Sequence, residues 1–552
     1  GQSAYRVLVA SSRQALDAER GDRWDSGRVS SGNTFGVAYR GKALFAETAY
    51  FWKVMVWDDH GDAAPWSAVG SWTMAPTEWK AKWIAQAGTT SETAEMPLFR
   101  RQFTVKRRLS RAMMYVSALG QGEVHLNGQK VGDAELAPSW TDYRKTVRYE
   151  TYDVTAMLLQ GKNAIGVMVG NGMFNVAKTR NRYTKLVNSF GRPMVMLQIR
   201  LTYTDGSSET VVSDGSWEAA PGPITFSSTY GGEDYDATKE QAGWDSAKFR
   251  PRGWKRVSVV DGPTGKLAAE VALPLKVMKT YSPAKTTEVK PGVVVYDLGQ
   301  NFAGWPDVKL RGPKGAAIKV VPGELLNTDG TVSQQSSGGP EWFSYTLKGD
   351  GIEQCHPRFS DYGFRYLQVE WSSGKGEVVS LTGQAVHSSS QTVGNFASSN
   401  EMLNGIHHLI TTAMENNTVS IFTDCPHREK LGWLEETNLV APGLIFNSDL
   451  QRMFAATADN IADAQKADGM VPTTAPQYTV FGEHGYGIFD DSPEWGSASV
   501  LAAWSAYRAY GDVGELQREY PVMQRYVKFL ESKAQDGIVA YGLGDWYDIG
   551  PD

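Results

Sequence analysis

Phe396-Ala397-Ser398-Ser399-Asn400-Glu401-Met402-Leu403-Asn404-Gly405-Ile406-His407-His408-Leu409-Ile410-Thr411-Thr412-Ala413 is where the hydrophobic period of the chain changes. Met402, Leu403, Ile406, Leu409, Ile410 and Ala413 recur at the spacing that gathers side chains on one helical face, and Ser398 or Ser399 can cap its start. Upstream the apolar residues alternate in short runs, as strands require; downstream the helical period persists. Strands first and helices afterwards make a multidomain α+β chain, not an alternating α/β one.

Working back from this point, residues 263–392 read as a β-sandwich marked by the Gly-broken strands Val293–Trp305 and Arg358–Val369. Residues 78–262 read as a second β-sandwich with a connecting segment. Within it Leu126-Asn127-Gly128-Gln129 predicts a hairpin, because Asn-Gly supplies the two positive-φ residues of a type I′ turn. Asn171 and Gly172 read as a plain turn before a sugar or ion contact. Gly231-Gly232-Glu233-Asp234-Tyr235-Asp236 could offer oxygens to a cation, but it lacks the other positions of a calcium loop and reads better as a surface connection. Residues 1–77 form a third, small antiparallel sandwich, with Ser71–Pro76 as its last strand.

Working forward, Ser448 and Gln451 have the spacing of a capping box for a helix that turns Leu450, Met453, Phe454, Thr457 and Ile461 inward. Val500, Leu501, Trp504 and Tyr507 mark another that ends at Gly511, and a last one covers about 513 to 533. Helix pairs joined by long polar loops predict a toroid of helical hairpins whose loops build a cleft.

Composition excludes several classes. A net charge of −6 over 552 residues, 21% of them charged, gives no electrostatic case for a nucleic acid or anionic membrane partner. No apolar run reaches the length of a membrane span, and the first residues lack a charged then apolar signal segment. With only Cys355 and Cys425, at most one disulfide is possible. His407 and His408 are adjacent, face different sides of a helix, and so argue against a shared metal site. No metal and no cofactor is expected. The 18 tryptophans and 24 tyrosines are the unusual feature, and aromatic residues over β scaffolds suit carbohydrate binding as well as large cores.

The chemistry concentrates in Phe422-Thr423-Asp424-Cys425-Pro426-His427-Arg428-Glu429-Lys430-Leu431-Gly432-Trp433-Leu434-Glu435-Glu436. So many ionisable groups belong in a polar cleft, since a buried charge must be paired or solvated. Read as loop then helix, Glu429, Trp433 and Glu436 fall at i, i+4 and i+7 on one face. Two carboxyls and an aromatic plate are what glycoside hydrolysis needs: one acid to protonate the leaving oxygen, another to hold hydroxyls, a ring to stack on the sugar. A solvated helix start is the bland alternative. Phe489-Asp490-Asp491-Ser492-Pro493-Glu494-Trp495 and Gly544-Asp545-Trp546-Tyr547-Asp548 each pair carboxylates with Trp as well, although capping by Asp and packing by Trp explain them equally.

Asp-Cys-Pro-x-Arg followed by Glu-Lys-Leu-Gly-Trp resembles the active-site signature of glycoside hydrolase family 78, the bacterial and fungal α-L-rhamnosidases. Many members carry one more residue between the Arg and the Glu, and an Asp at the place of Glu436. The resemblance implies an inverting exo-glycosidase that removes terminal α-L-rhamnosyl residues, with Glu429 as general acid. Asp424, Arg428, Trp433 and Glu436 would bind the sugar, and Trp495 and Trp546 would line its pocket. It further implies a fibronectin type III-like domain (1–77), a carbohydrate-binding-like domain (78–262), a sandwich adjoining the catalytic domain (263–392) and an (α/α)6 toroid (393–552). About five or six helices are half of such a toroid. The chain is therefore expected to be cut at both ends, with the catalytic base, a Glu, beyond Asp552; neither Glu494 nor Asp545 has the family's support for that role. The implied partner is a rhamnose-containing oligosaccharide or glycoside; the expected location is periplasmic or extracellular, with any signal segment outside this chain, and a cytoplasmic one is the alternative. The competing readings are another inverting (α/α)6 glycosidase, since fold and paired acids do not choose the sugar, and a silent carbohydrate-binding protein, against which the intact Asp424, Arg428, Glu429 and Trp433 set counts.

Overall fold

A computed structural model describes residues 1–544 of the chain. They fall into two compact units, one made of residues 1–80 with 506–518 and the other of the remainder. In the smaller unit, strand Gln2–Ala10 pairs antiparallel with Ala49–Asp58, which pairs with Gly70–Thr73, and two short strands extend the sheet beyond the first. Helix α1 (Arg13–Asp17) is capped by Ser12 and buries Ala15 and Leu16 against Leu8, Ala10 and Phe51.

The larger unit begins with a true sandwich of a six-stranded and a seven-stranded sheet. Alternate residues of their strands, among them Phe99, Met114, Val116, Ile165, Val167, Leu197 and Ile199, fill the space between them. The hairpin at Asn127 and Gly128 forms as expected, with φ of +53° and +87°. The turn expected at Asn171-Gly172 forms from Gly172, whose φ is +47°, but Asn171 is not at the surface. It is buried, donates to the Ser227 carbonyl at 2.8 Å and accepts from Asn175 at 2.9 Å.

The next layer is one ten-stranded sheet wrapped round a single core. Its centre is the 19-residue strand Val293–Arg311. The first part pairs with Tyr362–Ser373 and the last with Glu377–Ser388, with Gly304 belonging to both ladders. Residues 231–236 correct the reading as a surface connection. Gly232–Asp236 is a strand of this sheet, parallel to Trp342–Thr346. Glu233 is buried and accepts the backbone N–H groups of Arg358 and Phe359, while Asp234 is held by Arg182, so neither carboxylate is left for a cation. Cys355 and Cys425 are both free and buried, so no disulfide links them.

The helical period after residue 396 produces α2 (Glu401–Asn416), α3 (Leu434–Asn447), α4 (Gln451–Ala464), α5 (Pro493–Gly496), α6 (Ala498–Tyr510) and α7 (Val513–Lys533). The expected caps are corrected by one or two residues. Asn400, not Ser398 or Ser399, accepts the Met402 N–H, because Ser398 is already engaged by the Asn400 N–H. The Ser448–Gln451 box does not form; Asp449 accepts the Gln451 N–H instead. On α4, Met453, Phe454, Thr457 and Ile461 are buried as expected. The stripe of α2 has the opposite fate. Met402 is 73% and Leu409 65% exposed, and α2 meets the sheet through polar Asn416, whose Oδ1 accepts the Ala303 N–H at 3.0 Å. Leu439 and Phe446 of α3 are exposed too. Among the described residues no helix is long and apolar enough to cross a membrane.

Candidate active site

The segment from Asp424 to Trp433 is not a helix, which corrects the reading that put Glu429, Trp433 and Glu436 on one helical face. The Asp424 N–H donates to the Leu431 carbonyl at 3.1 Å and the Leu431 N–H returns to Asp424 Oδ1 at 3.2 Å, so residues 424–431 close into a loop. Lys430 takes a left-handed conformation with φ of +55°, which ends any helix there. The chain then runs extended beside residues 473–475, joined by the Leu434 and Ala475 N–H bonds. At Gly432 a Cβ would lie 2.3 Å from the Ala475 carbonyl oxygen, so only glycine fits. Trp433 stands at the N-cap of α3, and Glu436 lies in its first turn, where a carboxylate meets the positive end of the helix.

The loop nevertheless brings the expected side chains together. Asp424, Arg428, Glu429, Trp433, Glu436 and Trp495 all line one cleft of about 870 Å³. Glu429 Oε2 accepts the Trp433 indole N–H at 2.9 Å, and Oε1 lies 3.3 Å from the Lys185 ammonium. Its backbone is fixed as well, the carbonyl by Tyr230 Oη at 2.8 Å and the N–H by Cys425 Sγ at 3.4 Å. On its other flank the loop is clamped by Lys430, whose buried ammonium is shared among the Thr229 carbonyl, the Asp361 carbonyl and Asp361 Oδ1. His427 Nε2 meets Glu324 Oε2 at 3.1 Å while Nδ1 accepts the Arg428 N–H at 2.8 Å. Burial disfavours charge on this ring, while Cys425 and Glu324 favour it. The N–H aimed at Nδ1 needs that nitrogen bare, so while this bond is made the ring keeps its single proton on Nε2.

Trp433 differs from the stacking plate expected of it. Its ring is buried and stacked on Phe481 at 5.5 Å, with Trp495 meeting it edge-on at 6.2 Å, so its contribution to the site is the N–H on Glu429. The two remaining cleft carboxyls are shifted. Burial raises Asp424 to about 6, with Glu429 adding to the rise. Burial raises Glu436 to about 7, helped by Asp424, and its buried Oε2 has no hydrogen-bond partner among the described residues. Glu494 hydrogen-bonds Ser492. Trp546 and Asp545 lie outside the described residues. Lys185, Leu186, Val187 and Phe481 line the cleft without any local sequence signal, since they arrive from other strands and loops.

A carboxyl that shows one oxygen, shared only with the exposed Lys185, to a cleft this size beside two further acids and a guanidinium fits carbohydrate chemistry. With the helices and β-layers of the larger unit, it fits the class of glycoside hydrolases. Family comparison narrows the class. Residues 1–78 match a Rha78A-like N-terminal immunoglobulin domain and 107–279 an α-L-rhamnosidase N-terminal domain. Residues 287–387 match a bacterial α-L-rhamnosidase concanavalin-like domain and 391–552 the 6 hairpin glycosidase domain. An α-L-rhamnosidase of Streptomyces avermitilis is 30% identical over 99% of this chain and 69% of its own length. A solved α-L-rhamnosidase from Dictyoglumus thermophilum superposes with a TM-score of 0.90 at 36% identity, over 99% of this chain and 62% of its own. The Streptomyces avermitilis enzyme solved with L-rhamnose gives 0.91 at 28% identity, over 99% and 69%. The chain belongs to the bacterial α-L-rhamnosidase family. It spans 62% to 69% of the length of these three relatives.

Proposed function

We propose that the whole protein hydrolyses terminal α-L-rhamnosides with inversion, with Glu429 as general acid. The observation that carries this reading is the setting of Glu429. Trp433 occupies one carboxyl oxygen and the other faces the cleft beside the exposed Lys185 ammonium, a geometry from which a proton can pass to a bound oxygen once Lys185 moves aside. The Glu429 carboxyl passes its proton to the glycosidic oxygen, the bond from that oxygen to C1 breaks, and a water oxygen bonds C1 from the opposite face as a base takes the water proton. Asp424, Arg428 and Glu436 hold the sugar hydroxyls. We assign the base to a carboxylate beyond Asp552, in the part of the relatives' length that this chain does not span. The family's activity and the rhamnose bound in the Streptomyces avermitilis relative support rhamnose as the sugar.

The test is Glu429→Gln in the whole protein. Gln keeps the shape and the bond to Trp433 but cannot supply the proton, so kcat on an alkyl rhamnoside should fall by about 10² to 10⁴. An activated phenol leaves with less help and should lose less, and rhamnose affinity by calorimetry should change little. Loss of sugar binding with an unaltered leaving-group dependence would make Glu429 a binding residue and move the acid to Glu436.

A further inference from the structure

Lys185 belongs to the β-sandwich region, far upstream of the acid loop, yet its ammonium is the group that shares Glu429 Oε1, at 3.3 Å. It sits on an arch fixed at both ends. At one end the Arg182 guanidinium is forked onto both oxygens of Asp234 and lies 3.7 Å over the Trp342 ring, and the Tyr183 N–H donates to the Pro340 carbonyl at 2.7 Å. At the other, Asn188 Nδ2 donates to the Tyr478 carbonyl at 2.7 Å and Asn188–Ser189 pairs with Asn175–Val176. Between these anchors Lys185, Leu186 and Val187 line the cleft. Arg182 is consumed by Asp234, so Lys185 is the cation this arch presents to the cleft.

The geometry of Glu429 then says what lies next to Lys185. Oε2 is taken by the indole N–H, so the proton must leave from Oε1, and the accepting glycosidic oxygen must sit about 3 Å from it. That position borders the Lys185 ammonium. Once Oε1 carries the proton to be transferred the Glu429 carboxyl is neutral and the ion pair with Lys185 is lost, so in the productive complex the ammonium's charge is free to take another partner. A substituent on the leaving group, which hangs from that glycosidic oxygen, would come within its reach.

Resting on the functional reading above, we propose that Lys185 is a specificity-determining residue of the leaving-group subsite, and that this subsite favours aglycones carrying a carboxylate or another anionic substituent close to the glycosidic oxygen. Leu186 and Val187 supply the apolar wall beside it.

The test compares two aryl rhamnosides, 3-carboxyphenyl and its methyl ester 3-(methoxycarbonyl)phenyl, on the whole protein and on Lys185→Met. Lys185 is 44% exposed on its side chain, so the variant should fold, which circular dichroism checks. The ratio of kcat/KM for acid over ester should fall about threefold to tenfold in Lys185→Met, recover in Lys185→Arg, and shrink with added salt in the wild type. Equal ratios in the wild type and Lys185→Met, with both glycosides turned over, overturn the inference alone. A folded wild type that turns over neither glycoside removes the functional reading and the inference with it.

Discussion

Two clusters of charge in the larger unit are built on opposite plans. In the sandwich, His125 lies between two carboxylates, Nδ1 at 2.8 Å from Asp245 and Nε2 at 2.7 Å from Glu123. Glu123 also faces Arg358 at 3.3 Å and Lys130 at 3.6 Å. Burial works against every one of these charges, but the pairing wins. Asp245 and Glu123 raise His125 to about 9, and His125, Arg358 and Lys130 hold Glu123 far below the usual carboxylate range. In the cleft the burial is comparable and the pairing is incomplete. Burial raises the pKa of Asp424 and Glu436, and Glu436 keeps a buried oxygen with no partner among the described residues. Charges that hold a fold are satisfied within it, whereas charges that hold a ligand are left short of partners that the ligand brings.

The largest effect that could break this contrast is in the sandwich. Glu123→Gln takes from His125, Arg358 and Lys130 the anion they share and leaves His125 to Asp245 and Lys130 to Glu135, so it should cost about 3 kcal/mol in urea unfolding at pH 7. A cost below about 1 kcal/mol would mean the cluster is solvated like a surface. Glu429→Gln, whose side chain is 25% exposed, should stay within about 1 kcal/mol of wild type in the same measurement.

The second effect is the pH window of His125. Its folded pKa of about 9 lies above the ordinary 6.5, so the folded state holds the proton more tightly than the unfolded chain. The stability from this difference is complete below pH 6.5 and lost as pH rises through 9, on the order of 3 kcal/mol in all. Compared with His125→Gln, the wild-type advantage should shrink between pH 6 and pH 9.5. An advantage that stays constant over that range would show that the ring is neutral.

How much of this was legible depends on range. The onset of α2, the Asn127-Gly128 hairpin and the gathering of Asp424, Arg428, Glu429, Trp433 and Glu436 rest on neighbours in sequence, and the sequence carries them. The supposed helix from 429 failed although its i, i+4 spacing was right. The left-handed Lys430 and the close approach of Gly432 to Ala475 are dictated by Thr229, Asp361 and residues 473–475, which no local pattern announces. Lys185 was invisible for the same reason. The α2 stripe is amphipathic as its period predicts, but periodicity names an apolar face and not what covers it.

The smallest effect, and the sharpest, is Glu436→Gln. The folded pKa of Glu436 is about 7 against an ordinary 4.5, so the folded state binds the proton more tightly and wild-type stability falls as pH rises from 4.5 to 7. Gln cannot ionise and escapes that fall. The variant should match wild type at pH 4, where Glu436 is protonated and resembles Gln, and exceed it at pH 8. Because the cleft admits water, the gain should be on the order of 1 kcal/mol and not the full linkage value. Rhamnose affinity should move the other way, weakening at pH 8, because the carboxylate that was costly to keep unpaired is the acceptor a sugar hydroxyl would satisfy. Opposite signs in the two measurements mark a group whose partner is the ligand. A loss of stability at pH 8 would instead place Glu436 with Glu123, as a carboxylate already satisfied by the fold.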